Sequence, residues 1–238
     1  MKVVGVIASP HEEGNGALLT REALRAAREA GAEVSEVFLP RCRIEFCKAC
    51  GTCLRAGSCP IADDYEQVRG LLEEAQGVIL STPAYAEQPN ARLKNLLDRL
   101  GQLAFLTSFF GGKYLAGIVT ASRSPKGALK QVMALARGSV FQRARVSGSL
   151  GVALGGRHVR DMPEALEKAR ALGRRMVEDI RRGRSYPLQN LGTRVMNGIL
   201  MRPLMARSIT DNRNAMPAVH AELVRKGYLR PAAEEIAS

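Results

Sequence analysis

The sequence predicts an α/β fold: one open parallel sheet of five strands in the order 2-1-3-4-5, helices on both faces, and a partly helical C-terminal extension. Three observations predict it. Five apolar runs of strand length alternate with five stretches of helical periodicity, and right-handed crossovers between successive strands then leave an open sheet covered on both sides. The first run, Lys2–Ala8, is continuously apolar, as a strand buried on both faces must be. The rhythm stops after Arg184, which divides the chain into a domain of residues 1–184 and an extension of residues 185–238 expected to pack on the core or on a partner subunit.

The elements follow in order. Ser9-Pro10-His11-Glu12-Glu13-Gly14-Asn15-Gly16 is a loop. Leu19, Ala23, Ala27 and Ala30 recur at helical spacing over Ala17–Ala30, and Gly31 stops that helix. Ala32–Leu39 alternates into the second strand and leads to a cysteine-rich loop over residues 42–60. Asp63 or Asp64 can cap a helix that buries Tyr65, Val68, Leu71, Leu72 and Ala75. Gly77–Ser81 is a short third strand, followed by the loop Thr82-Pro83-Ala84-Tyr85 and a helix over Ala91–Leu103. Tyr114–Ala121 is the fourth strand, Ala128–Ala136 the fourth helix and Val146–Leu154 a weaker fifth strand. Asp161 is placed to cap the last helix, with Pro163 near its start and Ala165, Ala169, Leu172, Met176 and Ile180 on one stripe.

Composition narrows the function. With 46% hydrophobic and 24% charged residues, the chain reads as a folded globular protein, and no run approaches the roughly 18 apolar residues of a membrane span. Val3 to Ala8 is too short for a signal peptide, and an odd set of five cysteines, four of them in one place, does not suggest a secreted disulfide framework. A cytoplasmic protein is expected. The net charge of +12 is uneven: residues 121–160 hold eight Lys or Arg and no acid, and residues 181–230 hold ten against Asp211 and Glu222. Such a field suits anionic partners: a phosphorylated cofactor, an acidic electron carrier or nucleic acid. The absence of tryptophan, of a helix-turn-helix signature and of RNA-binding aromatic motifs speaks against nucleic acid.

Cys47, Cys50, Cys53 and Cys59 lie within thirteen residues, in the spacing C-x2-C-x2-C-x5-C followed by Pro60. A tetrahedral zinc site usually closes two separated C-x2-C pairs, whereas a compact run that wraps a larger centre resembles the ligation of a cubane [4Fe–4S] cluster. Ala49, Gly51, Thr52, Gly57 and Ser58 are small enough for backbone N–H groups to turn toward sulfur. Four unliganded thiols are the plainer alternative. Cys42 reads as a spare thiol.

In a sheet of this order, ligands sit where strands one and three diverge. Ser9, Asn15, Gly16 and Ala17 at a helix N-terminus make an anion site suited to phosphate, although they match neither the Walker pattern nor G-x-G-x-x-G. The combined pattern is more specific. Ser9-Pro10 with Gly14-Asn15, then C-x2-C-x2-C-x5-C with Asp63-Asp64, then Thr82-Pro83-Ala84-Tyr85 with Leu93-Lys94 and Asp98-Arg99, closely resembles the iron–sulfur flavoproteins, within the flavodoxin-like NADPH-dependent FMN reductase group. The resemblance covers about residues 1–182.

It implies a flavodoxin-like fold and FMN. Ser9, Asn15, Gly16 and Ala17 would hold the phosphate, Pro83, Ala84 and Tyr85 would line the isoalloxazine, and Thr120, Ala121, Ser122 and Arg123 would close its other side. Cys47, Cys50, Cys53 and Cys59 would ligate a [4Fe–4S] cluster. It further implies a homo-oligomer in which the cluster approaches a neighbour's flavin. The basic field suits a ferredoxin or another acidic electron carrier as partner, with a small molecule as electron acceptor. Two departures stand out. Gly16 replaces the usual Thr or Ser, with the acidic His11-Glu12-Glu13 beside it, and Ser122-Arg123-Ser124-Pro125-Lys126-Gly127 lacks the double glycine frequent in reductases that use NAD(P)H. Arg123 would stabilise anionic reduced flavin. Asp98 and Arg99 read as structural ion pairs, and no side chain is assigned as a catalytic acid or base. The expected function is electron transfer between a [4Fe–4S] cluster and FMN. The alternatives are a cluster-free NAD(P)H-dependent FMN or quinone reductase and, more remotely, a redox-sensing nucleic-acid-binding protein.

Overall fold

The computed structural model describes residues 1–137, 140–189 and 191–231. Strands β1 (Lys2–Ile7), β2 (Glu33–Phe38), β3 (Gly77–Tyr85), β4 (Tyr114–Ala121) and β5 (Arg145–Ala153) pair in parallel in the order 2-1-3-4-5, as predicted. The two-residue strand Gln88–Pro89 runs antiparallel to the end of β3. The helices are α1 (Asn15–Glu29), α2 (Thr52–Ala56), α3 (Tyr65–Glu74), α4 (Ala91–Leu106), α5 (Lys126–Ala134), α6 (Pro163–Arg181), α7 (Leu191–Met196), α8 (Arg202–Asp211) and α9 (Pro217–Arg225). A π-helical turn, Asn197–Met201, joins α7 to α8. Among the described residues no helix is long and apolar enough to cross a membrane.

Successive strand residues point to opposite faces, and both faces are covered, so the central strands are apolar throughout. Val4, Val6, Val78, Leu80, Leu115 and Val119 pack with Val68, Leu72, Leu93, Leu96 and Val132 of α3, α4 and α5. Val3, Ile79, Ala116 and Ile118 pack on the other face with Leu19, Ala23, Leu172 and Met176 of α1 and α6. Helices α1 and α6 touch closely: a Cβ at Gly173 would lie 2.0 Å from the carbonyl oxygen of Ala23, so only glycine lets the backbones meet.

A third apolar cluster lies outside the sheet. Val140, Phe141, Leu103, Ile209, Val219 and Leu223 form its buried centre, with Cys53, Leu54, Met201, Met205 and Tyr228 packed around it. Helix α9 therefore rests on the short helix of the cysteine loop, and α8 packs against α9. Of the extension expected over residues 185–238, positions 190 and 232–238 lie outside the described residues.

Three local expectations are corrected. The third strand does not stop at Ser81: it runs on to Tyr85 because Gln88–Pro89 pairs back on it across a two-residue turn. Asp161 does not cap α6. It sits in the 3-10 turn Val159–Asp161, while Met162 holds the N-cap position without a side-chain bond and Pro163 opens the helix. Helix α4 extends to Leu106 but breaks direction at Gly101, whose φ of 32° is open to glycine.

Candidate functional site

The C-terminal ends of β1, β3 and β4 form one edge. In register, Ile7 lies beside Ser81, and Pro83 beside Thr120. From β1 the chain enters a tight turn: the Ser9 hydroxyl donates to the His11 carbonyl at 3.1 Å, and the Gly14 N–H donates to the same oxygen at 3.0 Å. A Cβ at Gly14 would sit 2.5 Å from Ser9 Oγ and 2.9 Å from His11 O, so this turn closes only around glycine. Gly14 is also the N-cap of α1, and no side chain caps that terminus. Its first N–H groups, those of Asn15, Gly16 and Ala17, have no intrahelical acceptors and face the edge positive end first.

The structure accounts for both departures in this loop. The Gly16 carbonyl accepts from the Ser81 hydroxyl at 3.2 Å and the Thr20 hydroxyl at 2.8 Å. A Cβ at position 16 would press on the buried Ser81 Oγ at 3.2 Å and make ordinary contact with the buried Thr120 Oγ1 at 3.8 Å, so two hydroxyls border the place of a Thr or Ser side chain. The acids are neutralised locally: Glu12 pairs with Arg41, and Glu13 with Arg160 at 2.5 Å and Arg21 at 3.7 Å. Asn15 Oδ1 accepts from the Val159 N–H at 2.8 Å, tying the loop to the turn before α6.

Below the edge, Asn90 holds three segments together. Its amide donates to the Ala8 carbonyl at 2.6 Å, its Oδ1 caps α4 by accepting from the Leu93 N–H at 3.1 Å, and its own N–H donates to Thr82 Oγ1 at 3.0 Å. This network fixes where β3 leaves the sheet. The turn beyond it, Ala86 and Glu87, has φ of 47° and 62°, both left-handed, matching the twist of a tight hairpin. The hairpin lifts Tyr85 above the edge, 55% exposed, with Pro83 and Ala84 half-buried beneath it. Glu87 seats against Gly127 at the start of α5, where a Cβ would lie 2.8 Å from the Glu87 carbonyl. Of the residues expected after β4, Thr120 and Ala121 are buried at the edge, while Ser122 and Arg123 are exposed. Thus Ser9, Asn15, Gly16, Ala17, Pro83, Ala84, Tyr85, Thr120 and Ala121 gather on one edge, and Ser122 and Arg123 stand at its rim.

The cysteine loop leaves β2 and folds down against α3 and α4. Ala49, Gly51 and Gly57 all have positive φ, of 51°, 69° and 75°, which coils the segment around its own sulfurs. Cys47 and Cys50 are exposed, and Cys53 and Cys59 half-buried. Burial, followed by the neighbouring Cys59, Cys47 and Cys50, pushes the Cys53 thiol up. The Cys50 thiol is lowered by its hydrogen bond to the Thr52 hydroxyl, 3.4 Å away, by the Thr52 backbone and by Arg55. The Ala49 N–H points at Cys47 Sγ at 3.4 Å. Cys42 lies apart, its Sγ 3.6 Å from the Phe38 carbonyl, with its thiol raised by burial and then by Asp64. Among the described residues no three His, Cys, Asp or Glu side chains form a single-ion site.

Arg99 of α4 is the part that sequence reading underrated. Its side chain is buried against Asp63, with Nη1 and Nη2 donating to the two carboxylate oxygens at 2.6 and 3.1 Å. Nη1 also donates to the Glu45 carbonyl at 2.8 Å, and Nη2 to Cys59 Sγ at 3.3 Å. The ion pair was foreseeable in kind, but its partner and the sulfur contact were not, because 36 and 40 residues separate them. Position 99 lies nine residues beyond the N-cap of α4, about 14 Å down the helix. The cysteine centre therefore flanks the sheet rather than lying in the edge crevice itself.

Residues 1–158 match the NADPH-dependent FMN reductase family. The chain belongs to that family. An iron–sulfur flavoprotein of Methanocaldococcus jannaschii is 42% identical to it over 99 residues, which cover 42% of this chain and 51% of the relative. An iron–sulfur flavoprotein of Archaeoglobus fulgidus is 36% identical over 115 residues, 47% of this chain and 52% of the relative. The chain thus spans about half the length of these curated relatives. A longer match to another A. fulgidus iron–sulfur flavoprotein, 27% identical over 192 residues, covers 75% of this chain and 94% of that protein. Among solved structures, the NAD(P)H:quinone oxidoreductase from Methanothermobacter marburgensis superposes with a TM-score of 0.58 at 18% identity, covering 73% of this chain and 98% of that one. An archaeal flavodoxin does so with a TM-score of 0.50 at 12% identity, covering 76% and 99%. At these identities the likeness establishes a flavodoxin-like fold for this member of the family.

Proposed function

We propose that this chain is a redox flavoprotein that binds FMN at the sheet edge and a [4Fe–4S] cluster in its cysteine loop. The observation that carries the reading is the loop. Four cysteines fall within thirteen residues on a backbone coiled by three left-handed residues, with N–H groups of Ala49 and Arg99 directed at the sulfurs of Cys47 and Cys59. That donor set suits an all-thiolate cluster. The edge fits the flavin in the same sense: an uncapped helix terminus beside a glycine turn for the phosphate, and a hairpin aromatic for the ring. When bound, the flavin supplies two-electron chemistry and the cluster one-electron chemistry, so the pair converts one into the other.

The residues then divide the work. Ser9, Asn15, Gly16 and Ala17 bind phosphate through backbone N–H groups, with Arg21, Arg41 and Arg160 cancelling the acids nearby. Pro83, Ala84 and Tyr85 orient one face of the ring, and Thr120, Ala121, Ser122 and Arg123 close the other. Cys47, Cys50, Cys53 and Cys59 hold the cluster, and α8 and α9 shield its inner side from water through the apolar group around Cys53 and Leu54. Its outer side carries exposed Phe46, Lys48 and Arg55, an apolar and basic surface suited to an acidic electron carrier. The extension also exposes Leu188, Leu191, Val195, Ile199 and Leu204, and we place contact with a second copy of the chain there.

Anaerobic purification with assays of iron, sulfide and flavin tests the reading. We expect about four irons, four sulfides and one FMN per chain, with broad absorbance near 400 nm beneath the flavin bands. Flavin alone, with rapid anaerobic oxidation of NADPH, would instead establish the cluster-free reductase.

A further inference from the structure

We infer that Arg99 is a positioning residue for the cysteine centre: locked by Asp63, it holds Cys59 Sγ through an N–H···S bond and raises the reduction potential of the cluster ligated there. The inference rests on the proposal that the loop binds a cluster.

The geometry leaves Arg99 little freedom. Only 5% of the residue is exposed, and the side chains of Arg99 and Asp63 are 1% and 0% exposed. Its guanidinium lies 4.4 Å from the centre of the Tyr65 ring, which fixes the plane in which its donors fan out. Asp63 is itself anchored, accepting from the Glu45 N–H at 2.8 Å and the Tyr65 N–H at 3.0 Å. Four of the five guanidinium N–H directions serve this network, and Nε alone has no partner among the described residues. A residue needed only to neutralise Asp63 would not also have to reach a sulfur. Arg99 does so at 3.3 Å, and Cys59 is further fixed by its own N–H, which donates to Glu66 Oε1 at 2.7 Å.

The chemical consequence has a definite sign. A reduced cluster carries one more negative charge, spread over its sulfurs, so a donor and a positive charge at one ligand sulfur favour the reduced form. Burial keeps that effect from being screened. Asp63 offsets the charge at long range, while the N–H itself stands at the sulfur, 3.3 Å away. Lysine cannot substitute, because one ammonium lacks the planar fork that reaches Asp63, the Glu45 carbonyl and Cys59 together.

The test is a redox titration of anaerobically prepared protein, followed by EPR for the cluster and absorbance for FMN, after iron and sulfide are counted. In Arg99→Gln with Asp63→Asn, which keeps a neutral hydrogen-bonded pair, the equilibrium constant for cluster reduction should fall about tenfold, 59 mV for one electron. The flavin potential should not move. An unchanged cluster potential in the loaded double variant would overturn the inference. Should the variants not fold, pulsed EPR of the reduced Arg55→Lys protein labelled with 15N-arginine decides instead, since Arg55 also lies beside Cys50: coupling to an arginine nitrogen is expected, and its absence overturns the inference. Wild-type protein without iron and sulfide would remove the cluster reading and this inference with it, whereas a loaded wild type with insensitive variants removes only the inference.

Discussion

Replacing Cys53 with serine should strip the protein of its iron and sulfide and leave its FMN in place. Cys53 sits in the first turn of α2, where its side chain joins the apolar group formed by α8, α9 and Phe141. Its position as the third cysteine of C-x2-C-x2-C-x5-C puts it in the middle of the run. A serine oxygen is a poor ligand for soft iron, and a three-thiolate site in an otherwise intact loop should lose most of about four irons per chain during anaerobic isolation. The flavin edge shares no described contact with Cys53, so the FMN content should stay within error of the wild type. Cys42→Ser is the control. That thiol is raised by burial, lies against the Phe38 carbonyl and belongs to the core flank of the loop, so its loss should leave iron content unchanged. Iron assay and visible spectra of the two variants side by side separate ligand from bystander.

The complementary variant is Gly14→Val, which should release FMN while the cluster remains. The φ of Gly14 is −69°, so any residue tolerates its backbone, and the obstacle is space alone. Ser9 Oγ can swing aside, but the His11 carbonyl oxygen, 2.9 Å from the added Cβ, belongs to the turn itself. Opening that turn moves the first N–H groups of α1 away from the phosphate. We expect FMN affinity to fall about 100-fold, roughly 2.7 kcal/mol, in a fluorescence titration of the flavin-free protein. Iron and sulfide should be unchanged, because among the described residues the turn reaches toward the cysteine loop through a surface ion pair, Glu12–Arg41, just ahead of that loop. Each variant should therefore remove one redox group and spare the other.

Much of this arrangement is legible in the chain, for physical reasons. The strand order follows from apolar runs such as Lys2–Ala8, because parallel strands buried on both faces have no polar positions to disguise them. Clustering of the cysteines is local, so spacing alone conveys it. What spacing does not convey is any contact made across the fold. The Arg99 bridge to Cys59 and Asp63 spans 40 and 36 residues, and a lone arginine on a helix usually marks a solvated face. The continuation of β3 to Tyr85 was hidden because Pro83 reads as a strand end, although in the structure its neighbour Ala84 pairs with Pro89 in a hairpin whose turn residues, Ala86 and Glu87, lack the usual glycine or asparagine. Asp161 misled in the opposite way: an acid before Pro163 has the composition of a cap, but the 3-10 turn takes up Asp161 and leaves Met162 in the N-cap position. The replacement of a loop hydroxyl by Gly16 looked like a weakness in isolation, and only the packing of Ser81 and Thr120 around it accounts for the change.

The most direct test of a flavin and a cluster sharing this chain is to count the electrons it takes up. A reductive titration with dithionite under argon should consume about three electrons per chain, two for FMN and one for the cluster, with the last accompanied by an EPR signal from the reduced cluster. Uptake of about two electrons with no such signal would contradict the account.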